Sequence, residues 1–132
     1  MMLVDTVALH ERTVGLLTND SPTDTWDTVV RSIKAEYLSG SQAYPWIIGF
    51  SGGKDSTVVT QAVFEALLQI PPSLRRRPVH IVSNDTQVES PAVMSHLVIV
   101  QDAIRVMAEA LGLPVTVVTT RPAPDKTFWT LL

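Results

Sequence analysis

The sequence predicts an α/β fold, a parallel sheet whose strands alternate with helices. Short apolar runs at 46–50, 79–84 and 115–119 are separated by longer stretches with apolar residues at helical spacing. The second and third runs, VHIVSN and VTVVT, are rich in β-branched residues, which suit a pleated surface. Strands alternating with helices imply parallel pairing with right-handed crossovers.

The elements follow in order. Residues 5–17 read as a weakly amphipathic helix through Val7, Val14 and Leu17, and 18–23 as a polar break. Ser21-Pro22 has the form of a cap followed by a proline in the first turn. Trp26, Val29, Val30, Ile33 and Tyr37 then recur at helical spacing, Gly40 stands where that helix would end, and 40–45 is a turn. The run Trp46-Ile47-Ile48-Gly49-Phe50 lacks alternation, as a strand covered on both faces does. A helix is expected from about 56 to 69, with Val59, Ala62, Val63, Ala66, Leu67 and Ile70 on one side and Pro71-Pro72 as its stop. After the strand at 79–84 and a loop at 85–89, Ser90-Pro91 opens a third helix. Its expected buried stripe is Leu97, Val100, Ile104, Met107 and Leu111, and Gly112 ends it. The tail, 121–132, holds two prolines and finishes in Phe128-Trp129-Thr130-Leu131-Leu132.

Three strands joined in this way form half of a doubly wound sheet, in spatial order 3-2-1. The first strand then needs a neighbour on its other side, and nothing after Thr119 offers one. The expected organisation is therefore a helical segment over 1–43 and the N-terminal half of a larger, truncated domain over 44–132. The alternative is a short protein that completes its sheet with a partner.

With 132 residues the chain can form one domain with a real core, and 45% hydrophobic against 17% charged residues is globular. No apolar run approaches the roughly 18–20 residues that span a bilayer. The start, Met1-Met2-Leu3-Val4-Asp5, lacks the form of a signal peptide, so a cytoplasmic location without membrane partners is expected. A net charge of −3 gives no global basic footprint for nucleic acid. The absence of cysteine excludes disulfides, thiolate zinc sites and cysteine nucleophiles within these residues.

The chemistry concentrates at SGGKDS, 51–56, between an expected strand and an expected helix. Such a junction points backbone N–H groups and the positive end of the helix dipole at an anion. Gly52 and Gly53 let the backbone approach a phosphate and take positive φ. Ser51 and Ser56 add hydroxyl donors, and Lys54 adds a point charge. The glycine spacing and Asp55 exclude the GxxxxGK[ST] phosphate loop. Asp55 could cap the helix or hold magnesium. At the carboxyl end of the second strand, where ligands of open parallel sheets bind, stand Asp85, Thr86 and Glu89. Asp85 could take magnesium or a ribose hydroxyl, or serve only as a turn residue bonded to its own backbone. Thr86 could hydrogen-bond a nucleotide. Glu89 could equally be a first-turn acid matched to the helix dipole.

SGGKDS after a strand resembles the PP-loop of the N-type ATP pyrophosphatases, the adenine nucleotide alpha hydrolase-like superfamily with a Rossmann-like sheet. That superfamily includes phosphoadenosine phosphosulfate (PAPS) reductases and tRNA thiolation enzymes. The wider stretch YPWIIGFSGGKDST at 44–57, VSNDTQVESP at 82–91 and Thr127-Phe128-Trp129 is similar to the DndC-like proteins of the DNA phosphorothioation (Dnd) system. The likeness covers residues from about Trp26 to the end. In the reductases the second loop usually reads DTG, an aromatic and FPE. Here Asp85-Thr86 is followed by Gln87-Val88-Glu89-Ser90-Pro91, which favours the DndC-like branch.

The resemblance implies an enzyme that splits ATP into AMP and pyrophosphate to activate a substrate, the DNA backbone, for sulfur transfer. It implies nucleotide contacts at Ser51, Gly52, Gly53, Lys54, Asp55, Ser56, Thr57, Asp85 and Thr86, catalytic roles for Lys54 and Asp55, and magnesium at Asp55 and Asp85. It implies a cysteine desulfurase and other Dnd subunits as partners. An iron–sulfur cluster is expected only in a C-terminal part beyond these residues. The competing readings are a PAPS reductase or tRNA thiolation fragment, and a non-catalytic nucleotide-binding scaffold.

Other features read as structural. Arg75-Arg76-Arg77 suggests a solvated loop at the amino end of the sheet, with a DNA or partner contact as the alternative. His80 suggests a core or edge histidine, and Trp26 and Trp46 suggest core. His10 and His96 lack metal-ligand spacing. Arg121 and Lys126 follow the third strand on the nucleotide side, as phosphate contacts or as solubilising loop residues.

Overall fold

The computed structural model of the chain describes residues 2–3, 21–40, 44–85, 87–127 and 130. The helix expected over 5–17 lies outside them, as do Thr86, Phe128, Trp129, Leu131 and Leu132. The elements are β1 (Met2–Leu3), α1 (Pro22–Leu38), β2 (Trp46–Gly49), α2 (Lys54–Leu68), β3 (Val79–Asn84), α3 (Pro91–Ala110) and β4 (Val115–Thr120). Single 3-10 turns follow α2 at Pro72–Leu74 and β4 at Pro124–Lys126.

The four strands form one parallel sheet in the order β1-β2-β3-β4. Read from β4, the last three give the expected 3-2-1 arrangement. The missing neighbour of β2 comes from the start of the chain, where Met2 pairs with Trp46 and Leu3 with Ile47. Two residues are too few for periodicity to register, so the sequence could not announce this strand.

Among the described residues the sheet is covered on one face only, where β2 was expected to be covered on both. Trp46, Ile48, Val79, Ile81 and Ser83 are buried, whereas Ile47, His80 and Val82 are half-buried and Gly49, Thr116 and Val118 exposed. Trp46, Ile48, Val79 and Ile81 share a single core with Val30 and Tyr37 of α1, Val63 and Leu67 of α2, and Leu97 and Ala108 of α3. On the open face Ile47, His80 and Thr116 stand in register, and His80 shares a hydrogen bond with the Thr116 hydroxyl. An apolar run of five residues cannot say whether both faces are covered.

α1 and α3 start as their caps dictate. Ser21 Oγ accepts from the Asp24 N–H at 3.2 Å and Ser90 Oγ from the Val93 N–H at 3.3 Å, with proline opening each helix. α1 then buries Thr25, Val29, Val30, Ile33 and Tyr37. α3 keeps the first part of its expected stripe, with Leu97 buried and Val100 and Ile104 packed against the core, and departs from it at Met107 and Leu111. It buries Leu97, Gln101 and Ala108, while Met107 is 52% and Leu111 40% exposed. The small Ala108 lets the helix approach the sheet, and Gln101 Nε2 donates to Thr119 Oγ1 of β4 at 3.0 Å. At 20 residues and a mean hydropathy of 1.2, α3 is also long and apolar enough to cross a membrane by length and composition, although polar residues interrupt its apolar run. Here it packs on the sheet.

The arginine run is structural at two of its three positions. Arg75 Nε donates to the Leu67 and Ile70 carbonyls at 2.8 and 2.9 Å, closing the C-terminal end of α2. Arg77, 4% exposed, donates to the carbonyls of Tyr37, Ser39 and Tyr44 at 3.2, 2.9 and 2.9 Å. Arg76 is the exposed member.

Candidate functional site

β2 ends at Gly49, and 50–53 turn the chain into α2 at the carboxyl edge of the sheet. Gly52 takes φ +83, a region costly for any side chain, and a Cβ there would lie 3.3 Å from Leu97 Cδ1. Gly53 is the N-cap of α2, and no side chain caps this helix, in contrast to α1 and α3. Asp55 therefore does not take the capping role; it stands in the first turn.

The serines knit the loop together. Ser56 Oγ accepts from the Ser51 N–H at 3.2 Å, donates to the Gly53 carbonyl at 3.3 Å and lies 3.2 Å from Ser51 Oγ. Ser51 Oγ accepts from the Gly53 N–H at 3.3 Å. Thr57 Oγ1 donates to the Gly53 carbonyl at 2.7 Å, so its hydroxyl braces the loop.

Above the loop opens a cavity of about 500 Å³. Ser51, Asp55, Ser56, Asn84 and Glu89 form its polar wall, and Phe50, Val82, Val93, Met94 and Leu97 its apolar wall. The volume suits a small molecule, and an apolar wall with a few convergent polar groups is the usual form of such sites. Lys54 is exposed at the first position of α2, beside this wall in sequence and not part of it.

Asp85 is placed apart from that lining. Its Oδ1 accepts from the Gln87 N–H at 2.9 Å, closing a turn on its own backbone, with Gln87 at φ +66. Its Oδ2 meets Arg121 Nε at 3.3 Å. Arg121 thus ties the ends of β3 and β4 together. Lys126 lies in the turn after β4, exposed. Thr86 is outside the described residues. Among the described residues no three His, Cys, Asp or Glu side chains cluster as a metal site would require.

The structure thus brings Ser51, Asp55, Ser56 and Glu89 to one cavity and leaves Asp85 at its margin. Sequence reading missed Asn84 and the α3 residues Val93, Met94 and Leu97. Asn84 had a signal, since it is the last residue of β3, where a parallel sheet presents side chains to a ligand. The α3 residues had none, because the tilt of a helix over the strand ends is not encoded in its periodicity. No family model, curated protein or solved structure matches this chain.

Proposed function

We propose that the chain binds ATP at 51–57 and cleaves it to AMP and pyrophosphate to activate a substrate for sulfur transfer. The observation that carries this reading is the uncapped N-terminus of α2, which opens with Gly52 at φ +83 onto the cavity beside β2 and β3. The apolar wall of Phe50, Val82, Met94 and Leu97 suits a purine, and the loop N–H groups suit its phosphates.

An oxygen of the acceptor attacks the α-phosphorus, and the bond from that phosphorus to the bridging oxygen of the β-phosphate breaks. Pyrophosphate leaves with the electron pair. The loop N–H groups and Lys54 stabilise its charge, so the protein contributes by positioning and electrostatics. Asp55 and Glu89, the carboxylates on the cavity wall, would hold magnesium. The ion, when bound, would neutralise phosphate charge. The terminal sulfur of a persulfide on a cysteine desulfurase then displaces AMP from the adenylated acceptor, and a thiol of the sulfur donor cleaves the resulting S–S bond, leaving the sulfur on the acceptor and a disulfide on the donor. The acceptor proposed is the DNA backbone, on the likeness of 44–57 and 82–91 to DndC-like proteins. The chain has no cysteine, so the sulfur arrives on another segment or subunit.

The test is the product pattern from α- and γ-labelled ATP with magnesium, beside calorimetric titration of the wild type and Lys54→Ala. AMP and pyrophosphate formation that DNA stimulates and Lys54→Ala abolishes supports the proposal. ADP and phosphate as products, or no ATP binding by the folded chain, would overturn it.

A further inference from the structure

We propose that β4 is a docking edge for a second copy of this chain. Two β4 strands pair antiparallel across a two-fold axis and continue the sheet, with the two α3 helices side by side above them.

β4 ends the sheet, and its outer edge faces no other strand among the described residues. The carbonyls of Pro114 and Thr120 accept from the N–H groups of Val79 and Asp85, so the even positions of β4 aim their backbone groups at β3. Val115, Val117 and Thr119 aim theirs outward. The Val115 N–H turns back to the Leu113 carbonyl at 2.8 Å, while those of Val117 and Thr119 meet no backbone acceptor among the described residues. The strand reads VTVVTT, β-branched throughout, without a charge or a proline, and its register against β3 is unbroken. Charges, prolines and bulges are the devices by which exposed edges avoid pairing, and β4 has none. A two-fold axis through Val117 sets Val117 against Val117 and Val115 against Thr119, which brings the outward groups of both copies together.

The charges on α3 identify the second copy as occupant. The bond from Gln101 to Thr119 fixes the level of the helix over the strand. Two strand residues back, at Val117, is about 7 Å. Along a helix running the other way this is about four to five residues, so the axis crosses α3 near Arg105. Arg105 lies one turn beyond Gln101, and Asp102 and Glu109 flank it on the same side. Across the axis, Arg105 of one copy comes within about one helical turn of Asp102 and Glu109 of the other, and the symmetry repeats the contact. Within one copy Arg105 meets Asp102 at 2.6 Å, and the pair is exposed. The two helices would lie about 10 Å apart, two strand spacings, which is a packing distance for helices.

Sedimentation equilibrium over a concentration series tests this. Wild type should dimerise. Val117→Pro, whose lost N–H points outward and leaves the β3 ladder whole, should be monomeric. Arg105→Glu should weaken association about tenfold, and Asp102→Arg with Arg105→Glu should restore it. If Val117→Pro fails to fold by circular dichroism, the exposed charge pair decides alone. A wild type that stays monomeric throughout would overturn the proposal, as would a dimer unchanged by Val117→Pro and Arg105→Glu.

Discussion

Tyr37 and Arg77 hold each other reciprocally: the Tyr37 hydroxyl donates to the Arg77 carbonyl at 2.7 Å, and Arg77 Nε donates back to the Tyr37 carbonyl at 3.2 Å. The guanidinium also sits 5.9 Å from the Tyr37 ring centre and 5.7 Å from that of Trp46. Those rings meet edge to face at 5.4 Å. Arg77→Met should therefore cost about 3 kcal/mol in urea unfolding, since several charge-assisted bonds go together. Tyr37→Phe should cost about 1 kcal/mol.

Tyr37 also predicts a pH dependence. Burial pushes its phenol above the ordinary range, against the lowering effects of its bond to Arg77 and the charges of Arg77 and Arg75. A raised pKa in the folded state means that the stability it brings is whole below the ordinary tyrosine value, about 10, and is lost as pH rises beyond it. Wild type should lose stability above about pH 10 more steeply than Tyr37→Phe. Equal slopes in parallel urea titrations would refute this.

The two loop glycines should separate folding from binding. Gly52→Ala meets both the positive φ and the Leu97 methyl, and should destabilise by about 1–2 kcal/mol. Gly53→Ala is at φ −79 with ordinary contact to Ser51 Oγ at 3.4 Å, so its melting temperature should be nearly unchanged. Its methyl should nonetheless obstruct phosphate approach and weaken nucleotide titration.

The ion pair of Asp85 and Arg121 should be worth little by itself, because the Arg121 side chain is 68% exposed. Arg121→Ala should cost less than about 1 kcal/mol. Asp85→Ala should cost more, about 1–2 kcal/mol, because it also removes the acceptor of the Gln87 turn. Chemical denaturation of both single variants checks the order.

The orientation of α3 is testable on adjacent residues. Met107→Lys should stay within about 0.5 kcal/mol of wild type, and Ala108→Leu should cost about 1–3 kcal/mol by overpacking. The reverse order would restore the face that periodicity suggests.

What the sequence disclosed was local chemistry. Ser21-Pro22 and Ser90-Pro91 mark helix starts because a cap and an N1 proline act within one turn. The order of the last three strands follows from their helical crossovers. What it concealed depends on distant partners. Met2–Leu3 becomes a strand only because β2 offers an edge, and α3 turns Gln101 inward because Thr119 receives it. Arg75 and Arg77 read as a charge run because their acceptors are carbonyls, which carry no residue identity. At the candidate site the loop was legible and the opposite wall of the cavity was not.

The serine bonds within the loop set the thermodynamic character of any anion that binds there. Ser51 Oγ occupies the Gly53 N–H and Ser56 Oγ the Ser51 N–H, both at the long end of hydrogen-bond distances. A phosphate taking those donors exchanges one set of bonds for another, so little enthalpy is gained from the swap itself. The net attraction then falls to the uncapped N–H groups of the first turn of α2 and to long-range charge, the exposed ammonium of Lys54 and the dipole of α2. The charge contributions are screened by salt. The hold of the loop on a phosphate should therefore fade as ionic strength rises, more than it would if the Ser51 and Gly53 N–H groups were vacant as well.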